Sequence, residues 1–190
     1  MIKLSILIPT LPDRTHFLNE MVTNIKRQLS NISNPEEVQI IVDPRDKSIS
    51  TGEKRNNLIS AAQGKYVWQV DDDDFISGSS IELLLKAIET DTDVIGINGW
   101  MTTDGSKRVD WEIRLGHEYK AIKKNGKDYY LRFPNHITPM KKEHAEKIKF
   151  EHISWQEDYK WALAIRASGL LKTQEIITHP IYHYRHRSVK

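Results

Sequence analysis

Residues 66–77, YVWQVDDDDFIS, decide the fold. Tyr66 to Val70 is a short apolar strand, and it stops at four consecutive aspartates, Asp71 to Asp74. Four neighbouring carboxylates repel one another unless something positive stands among them, and a divalent cation is the simplest remedy. A solvated acidic turn or a helix cap accommodates one or two aspartates; four at the carboxyl end of a buried strand ask for a ligand.

Outward from this stretch, strand and helix signals alternate. Lys3 to Ile8 is an apolar strand closed by Pro9. Thr15 can cap a helix whose Leu18, Met21, Val22, Ile25 and Leu29 fall at helical spacing. Val38 to Val42 is the next strand. Ser50 and Glu53 form a capping box before the helix carrying Leu58, Ile59, Ala61 and Ala62, which Gly64 can end. Beyond the aspartates, Ser79 and Glu82 form a second capping box before Leu83, Leu84 and Ile88, and Asp93 to Ile97 is a further strand. This order predicts an α/β fold with a mostly parallel, Rossmann-like sheet flanked by helices. Ligands of such sheets bind beyond the carboxyl ends of the strands, where Pro9 and Thr10, Asp43 and Asp71 to Asp74 converge. The second half is less regular: Gly105 to Phe133 mixes short strands with turns, and a helix starting near Ser154 leads to a last strand, Glu175 to Tyr184.

At 190 residues with 38% hydrophobic content, the chain supports one core, so residues 1–190 read as a single domain. No apolar run is long enough to span a bilayer and no cleavage site follows MIKLSILIPT, so a cytoplasmic, soluble protein is expected. Without cysteine there is no thiolate metal site. A bound metal must be held by carboxylates, histidines, water or phosphate, which points to Mg or Mn. Neither GxxxxGK[ST] nor GxGxxG occurs, so a diphosphate must be held through metal and basic side chains.

The net charge of +2 conceals an asymmetry. Residues 1–104 carry 10 Lys/Arg against 16 Asp/Glu, and residues 105–190 carry 18 against 10. The basic half interleaves Arg108, Arg114, Lys120, Lys123, Lys124, Lys127, Arg132, Lys141 and Lys142 with Trp111, Tyr119, Tyr129, Tyr130 and Phe133. Aromatics stack on sugars and bases alike, and the positive charge favours an anionic partner.

Three segments together resemble the family 2 inverting glycosyltransferases of the GT-A fold: LSILIPTLPDR (4–14), GEKRNNLISAAQGKYVWQVDDDDFIS (52–77) and SWQEDYKWALAIRASG (154–169). The resemblance implies a metal-dependent transfer of a sugar from a nucleoside-diphosphate sugar to an acceptor hydroxyl. The donor would bind in residues 1–104, while acceptor binding and catalysis would fall in 105–190. Carried over, it puts Asp71 near the donor ribose, Asp73 on the metal, and Asp72 and Asp74 beside them. It makes Asp43 the reader of the nucleobase in a pocket lined by Pro9, Thr10 and Arg14, with Arg55 close to the nucleotide. The closing THPIYHYRHRSVK (178–190) resembles the family's Y-R-x-H-x-x-S element with the spacing compressed by a residue. Arg185 then binds diphosphate, and His183 or His186 completes the metal shell.

Ser154 and Glu157 have capping-box spacing, which gives Glu157 a structural role at the start of its helix. Asp158 shares a helical face with Trp161, Ala162 and Ile165, where a carboxylate is costly unless it opens into a cleft. The resemblance makes Asp158 the general base, with Glu157 beside it. The acceptor is a polyanionic glycan, a membrane-surface lipid or DNA carrying a hydroxylated base. Two other readings fit the residues: a non-catalytic module that binds nucleotide or metal, and a nuclease built on Glu157, Asp158 and Lys160.

Overall fold

The structure, a computed structural model, describes residues 1–188. At its centre β1 (Leu4–Pro9) lies between β2 (Val38–Asp43) and β3 (Tyr66–Gln69), parallel to both. Side chains of a strand alternate between faces, and every residue of β1 is buried. Leu4, Ile6 and Ile8 enter one core with Met21 and Ile25 of α1 (Thr15–Leu29) and Ile81 and Leu84 of α3 (Ser80–Ile88). Leu7 enters the opposite core with Leu58 and Ile59 of α2 (Thr51–Ala61) and Trp161 and Ile165 of α5 (Glu157–Ser168). The parallel strands are therefore covered on both faces, which is why they read as continuous apolar runs.

The sheet continues past β3 through the two-residue β9 (Met140–Lys141), antiparallel to both β3 and β5 (Val94–Thr103). The last strand, β10 (Gln174–His186), runs parallel to β5 and pairs with the short β4 (Phe75–Ile76) just after the aspartates. β6 (Ser106–Ile113), β8 (Lys127–Arg132) and the edge strand β7 (Lys120–Lys124) complete ten strands in one sheet, and α4 (Lys142–Ala145) follows β9. This is the α/β architecture expected of the GT-A type. No helix of the described residues is long and apolar enough to cross a membrane.

Several local expectations change. β5 runs to Thr103 and not to Ile97, because Asp104 and Gly105, both with positive φ, close a hairpin that lets β5 pair with β6. Ser50 Oγ accepts from the Glu53 N–H as its capping position requires. Ser79 makes no such bond; its neighbour Ser80 is buried and donates to the Ile181 carbonyl, tying α3 to β10. Thr15 lies inside α1, its hydroxyl turned back to the Pro12 carbonyl. Ser154 does not cap α5, which begins at Glu157 after Gln156 at φ 62°; its Oγ accepts instead from the Thr51 N–H at the head of α2. Gly52 makes that junction possible, since a Cβ there would meet the Glu151 carbonyl at 1.9 Å. The start of α5 is thereby held against the start of α2, beside the carboxyl ends of β1 and β3.

Candidate active site

Beyond those strand ends lies a cleft of about 640 Å³ lined by Pro9, Thr10, Arg14, Arg55, Asp71, Asp72, Asp73 and Arg185, all singled out by sequence. Lys47, Lys54, Tyr184, His186 and Arg187 add to its wall. The parallel order of β1 and β3 brings the first turn and the aspartates together. The antiparallel pairing of β10 with β4 sets the C-terminal basic residues over them.

The four aspartates are held in different ways, Asp72 and Asp73 sharing Arg14. Asp71 accepts from Arg55 Nη2 at 2.8 Å and faces His136 Nε2 at 3.2 Å. Burial alone would raise its pKa, but the Arg55 charge and then His136 overcome this and hold it far below the usual carboxylate range. Asp72 is buried, accepts from the Thr10 hydroxyl and meets Arg14 Nη2 at 2.6 Å; burial leaves its pKa raised. Asp73, at the same guanidinium at 2.7 Å, is the more open of the pair. Asp74 turns inward to Tyr182 Oη at 2.6 Å and the Arg185 N–H at 2.8 Å, and burial followed by the Asp71 charge pushes its pKa well above normal. Tyr182, fully buried, also accepts from the Asp71 N–H and so fixes the turn between the two.

Arg55 is 4% exposed and spans Asp71 and Glu157, whose Oε1 lies 3.3 Å from its Nε. Glu157, not Asp158, is therefore the buried carboxylate of α5, and its role is to neutralise Arg55, not to cap the helix. Asp158 stands at the edge of the Trp161–Ile165 face with its side chain 44% exposed, opening into a second pocket of about 290 Å³. A residue shift of one along a helix turns the side chain by about 100°, enough to separate these environments. Asp71 and Tyr184 line both pockets and so join them. Burial, and then Asp74 and Asp71, pushes the Tyr184 phenol up to about 12.

Two sequence-based site residues stand elsewhere. Asp43 is held by Arg45 through side chain and backbone, which outweighs its burial and lowers its pKa, and it does not line the cleft. His183 is also not beside Asp73. Its ring stacks on Trp100 at 4.9 Å and its Nε2 lies 2.8 Å from Thr102 Oγ1, because β10 pairs with β5 there. His186, the other histidine of that segment, does line the cleft. Residues 189 and 190, at the end of the same segment, lie outside the described residues.

Sequence reasoning missed Lys54, Glu157's true partner and His136. Lys54 is buried and donates to the carbonyls of Thr10 and Arg45, binding the two loops that flank the cleft; burial lowers its pKa. Its spacing reads as an ordinary exposed helical lysine, so the sequence held no signal. His136 sits in FPNHITPM, a proline-bounded loop between β8 and β9, which was the available hint. The second pocket also holds Arg132, stacked between Tyr119 and Tyr130 with its guanidinium 4.7 and 4.5 Å from their ring centres. Arg132 makes no ion pair among the described residues, and burial lowers its pKa.

Among the described residues no three His, Asp or Glu side chains converge as a ready-made cation cage. Asp73 offers one hard oxygen ligand at the cleft wall. A hard divalent cation such as Mg or Mn would find that oxygen suitable and would need its other ligands from outside the protein. The triad needed for a nuclease is not assembled, since Lys160 bonds Glu151 at 2.6 Å and Glu157 is committed to Arg55.

The model of the family described as "Glycosyl transferase family 2" matches residues 24–149. Comparison with curated proteins gave no match. Among solved structures, residues 1–349 of S. aureus TarS superpose with a TM-score of 0.69 at 15% identity over 97% of this chain. The same protein with UDP-GlcNAc gives 0.67 at 12% identity over 100%, and with UDP 0.67 at 13% over 97%. The chain spans 60% of the length of each of these TarS chains.

Proposed function

The chain belongs to glycosyl transferase family 2, and from that premise we propose that it moves a sugar from a nucleoside-diphosphate sugar, with inversion, to the hydroxyl of an anionic acceptor. The carrying observation is that a cleft walled by aspartates and basic side chains meets a second pocket, holding Asp158, at Asp71 and Tyr184. The first suits a donor and the second an acceptor. TarS, with UDP-GlcNAc or UDP bound in its structures, supports a uridine nucleotide as the first donor to try.

In this reading Thr10, Arg14 and Asp71 bind the nucleoside side of the donor. Arg185, whose guanidinium now pairs with Glu20 at 2.8 Å, and Arg187 would turn to the diphosphate from β10 and its extension, and Asp73 would hold Mn or Mg, which when bound neutralises charge developing on the leaving diphosphate. For Asp73 to hold a metal, Arg14 would have to release it and keep to Asp72 and the nucleoside. Asp158 takes the acceptor's proton as the acceptor oxygen attacks the anomeric carbon opposite the leaving group. Arg132 favours an acceptor with a phosphate or carboxylate near its reactive hydroxyl, such as a polyanionic glycan or DNA with a hydroxylated base. Tyr119 and Tyr130 hold the guanidinium with its charge unspent.

The test is incubation of the protein with Mn and a panel of nucleotide-sugars, following nucleoside diphosphate release. Slow release with one donor, abolished in Asp73→Asn together with metal-dependent nucleotide binding by calorimetry, is the expected result. Nucleotide binding without release from any donor would leave a non-catalytic module, and nicking of DNA under the same conditions would point to the nuclease.

A further inference from the structure

His136 bridges the two pockets. Its side chain is 10% exposed, with Nε2 3.2 Å from Asp71 Oδ2 and Nδ1 3.6 Å from Asp158 Oδ2. Nδ1 is buried and makes no hydrogen bond. When Nε2–H donates to Asp71, Nδ1 carries a lone pair, and the group in front of it is a carboxylate that also only accepts. Two acceptors facing each other are unfavourable until one proton stands between them. Binding of the ring by Asp71 alone does not account for the second contact, because a donor such as asparagine in place of His136 would serve Asp71 as well and leave no lone pair facing Asp158.

Resting on the glycosyl-transfer reading, we infer that His136 is a positioning residue and proton relay that receives at Nδ1 the proton Asp158 takes from the acceptor. The acceptor O–H bond breaks and its proton passes to Asp158 Oδ2, while the oxygen's electron pair forms the bond to the anomeric carbon. The bond from that carbon to the diphosphate oxygen breaks, its electrons leaving with the nucleoside diphosphate. The proton on Asp158 then moves to His136 Nδ1, which restores the carboxylate and leaves an imidazolium between Asp71 and Asp158. A small rotation of Asp158 closes the 3.6 Å gap, as acid–base contacts commonly tighten when substrate binds. The imidazolium is stabilised by both carboxylates, and Arg55, on the far side of Asp71, keeps that aspartate ionised throughout. Asp74, Arg132, Tyr119 and Tyr184 are the other titratable or charged groups of the pocket.

The tests are run on the full chain with Mn and UDP-N-acetylglucosamine, water standing in for the acceptor. UDP release by the wild type secures the reading underneath; its absence with every nucleotide-sugar strikes that reading, and the relay falls with it. Given release, His136→Gln should lower kcat roughly 10-fold or more and move the acid limb of the kcat–pH profile, since the base that receives the proton is gone. UDP affinity should stay within about twofold, because glutamine can still donate to Asp71 and the other nucleotide contacts lie in the first cleft. Imidazole added to His136→Gly should restore turnover. An acid limb that stays at the wild-type position in His136→Gln overturns the relay. A measurement on the wild type alone decides it as well: nitrogen NMR of labelled histidine should show His136 neutral, with the proton on Nε2, near pH 7, and a permanent imidazolium there overturns the proposal.

Discussion

The two ends of the site treat charge in opposite ways. At the end of β3 every aspartate already has a partner: Arg55 and His136 for Asp71, Thr10 and Arg14 for Asp72, Arg14 for Asp73, Tyr182 for Asp74. In the pocket beside α5 the charges stand open: among the described residues Arg132 has no carboxylate partner and Asp158 meets His136 alone, at 3.6 Å. The first arrangement holds its shape before any ligand arrives and exchanges partners when one does. The second keeps its valences for whatever enters. A buried charge without a counter-charge is costly, so the closed end should govern stability and the open end turnover.

Breaking the closed end should give the largest effect. Arg55→Met leaves the part-buried Asp71 and the buried Glu157 without their shared cation and should cost roughly 3–5 kcal/mol, read from urea unfolding. Its pH dependence sharpens the point. Asp71's pKa is depressed in the fold, so its contribution is present above the unfolded value of about 3.9 and lost as pH falls through the folded one. The gap between wild type and variant should therefore narrow as pH falls below about 4. A gap independent of pH would mean that Arg55 acts by packing on Phe150 and not by charge.

The adjacent carboxylates of α5 set the comparison within one helical turn. Asp158→Asn keeps shape but cannot take a proton, so turnover should fall by about 10²-fold with nucleoside diphosphate affinity and unfolding free energy nearly unchanged. Glu157→Gln should do the reverse, costing roughly 1–3 kcal/mol of stability because it halves the neutralisation of Arg55. Stability loss confined to Asp158→Asn would exchange the two roles.

The smallest effect is expected at the pocket wall. Arg132→Gln should raise acceptor KM by about 10-fold and flatten its salt dependence while leaving kcat in place. Steady-state kinetics at two ionic strengths, with a polyanionic glycan and with a duplex carrying a hydroxymethylated base, measure it. An unchanged KM for both would remove the anionic acceptor from the reading.

The strand and helix order of the first half was legible because apolar runs, helical spacing and the Pro9, Gly64 and aspartate boundaries are local properties. So was the convergence of Thr10 with Asp71 to Asp73, since parallel strands bring their carboxyl ends to one edge, whereas Arg14 and Arg55 were placed by the family resemblance. Capping boxes were less faithful: of three, only Ser50 caps its helix; Ser154 found a tertiary partner in α2, and at the head of α3 it is Ser80, not the expected Ser79, whose hydroxyl is engaged, with β10. Periodicity placed Asp158 and Glu157 on α5 but exchanged their surroundings, for a face is set by what packs on it and not by spacing alone. Likewise the turn of His183 onto Trp100, the commitment of Asp43 to Arg45 and the meeting of His136 with both Asp71 and Asp158 depend on residues far apart in the chain. The sequence by itself determined the parallel strands of the first half and which carboxylates gather at their ends. Only the tertiary structure decided which of those carboxylates are neutralised and which stay open, because pairing of charges across 65 or 102 residues is a matter of distance in space, and no local pattern encodes it.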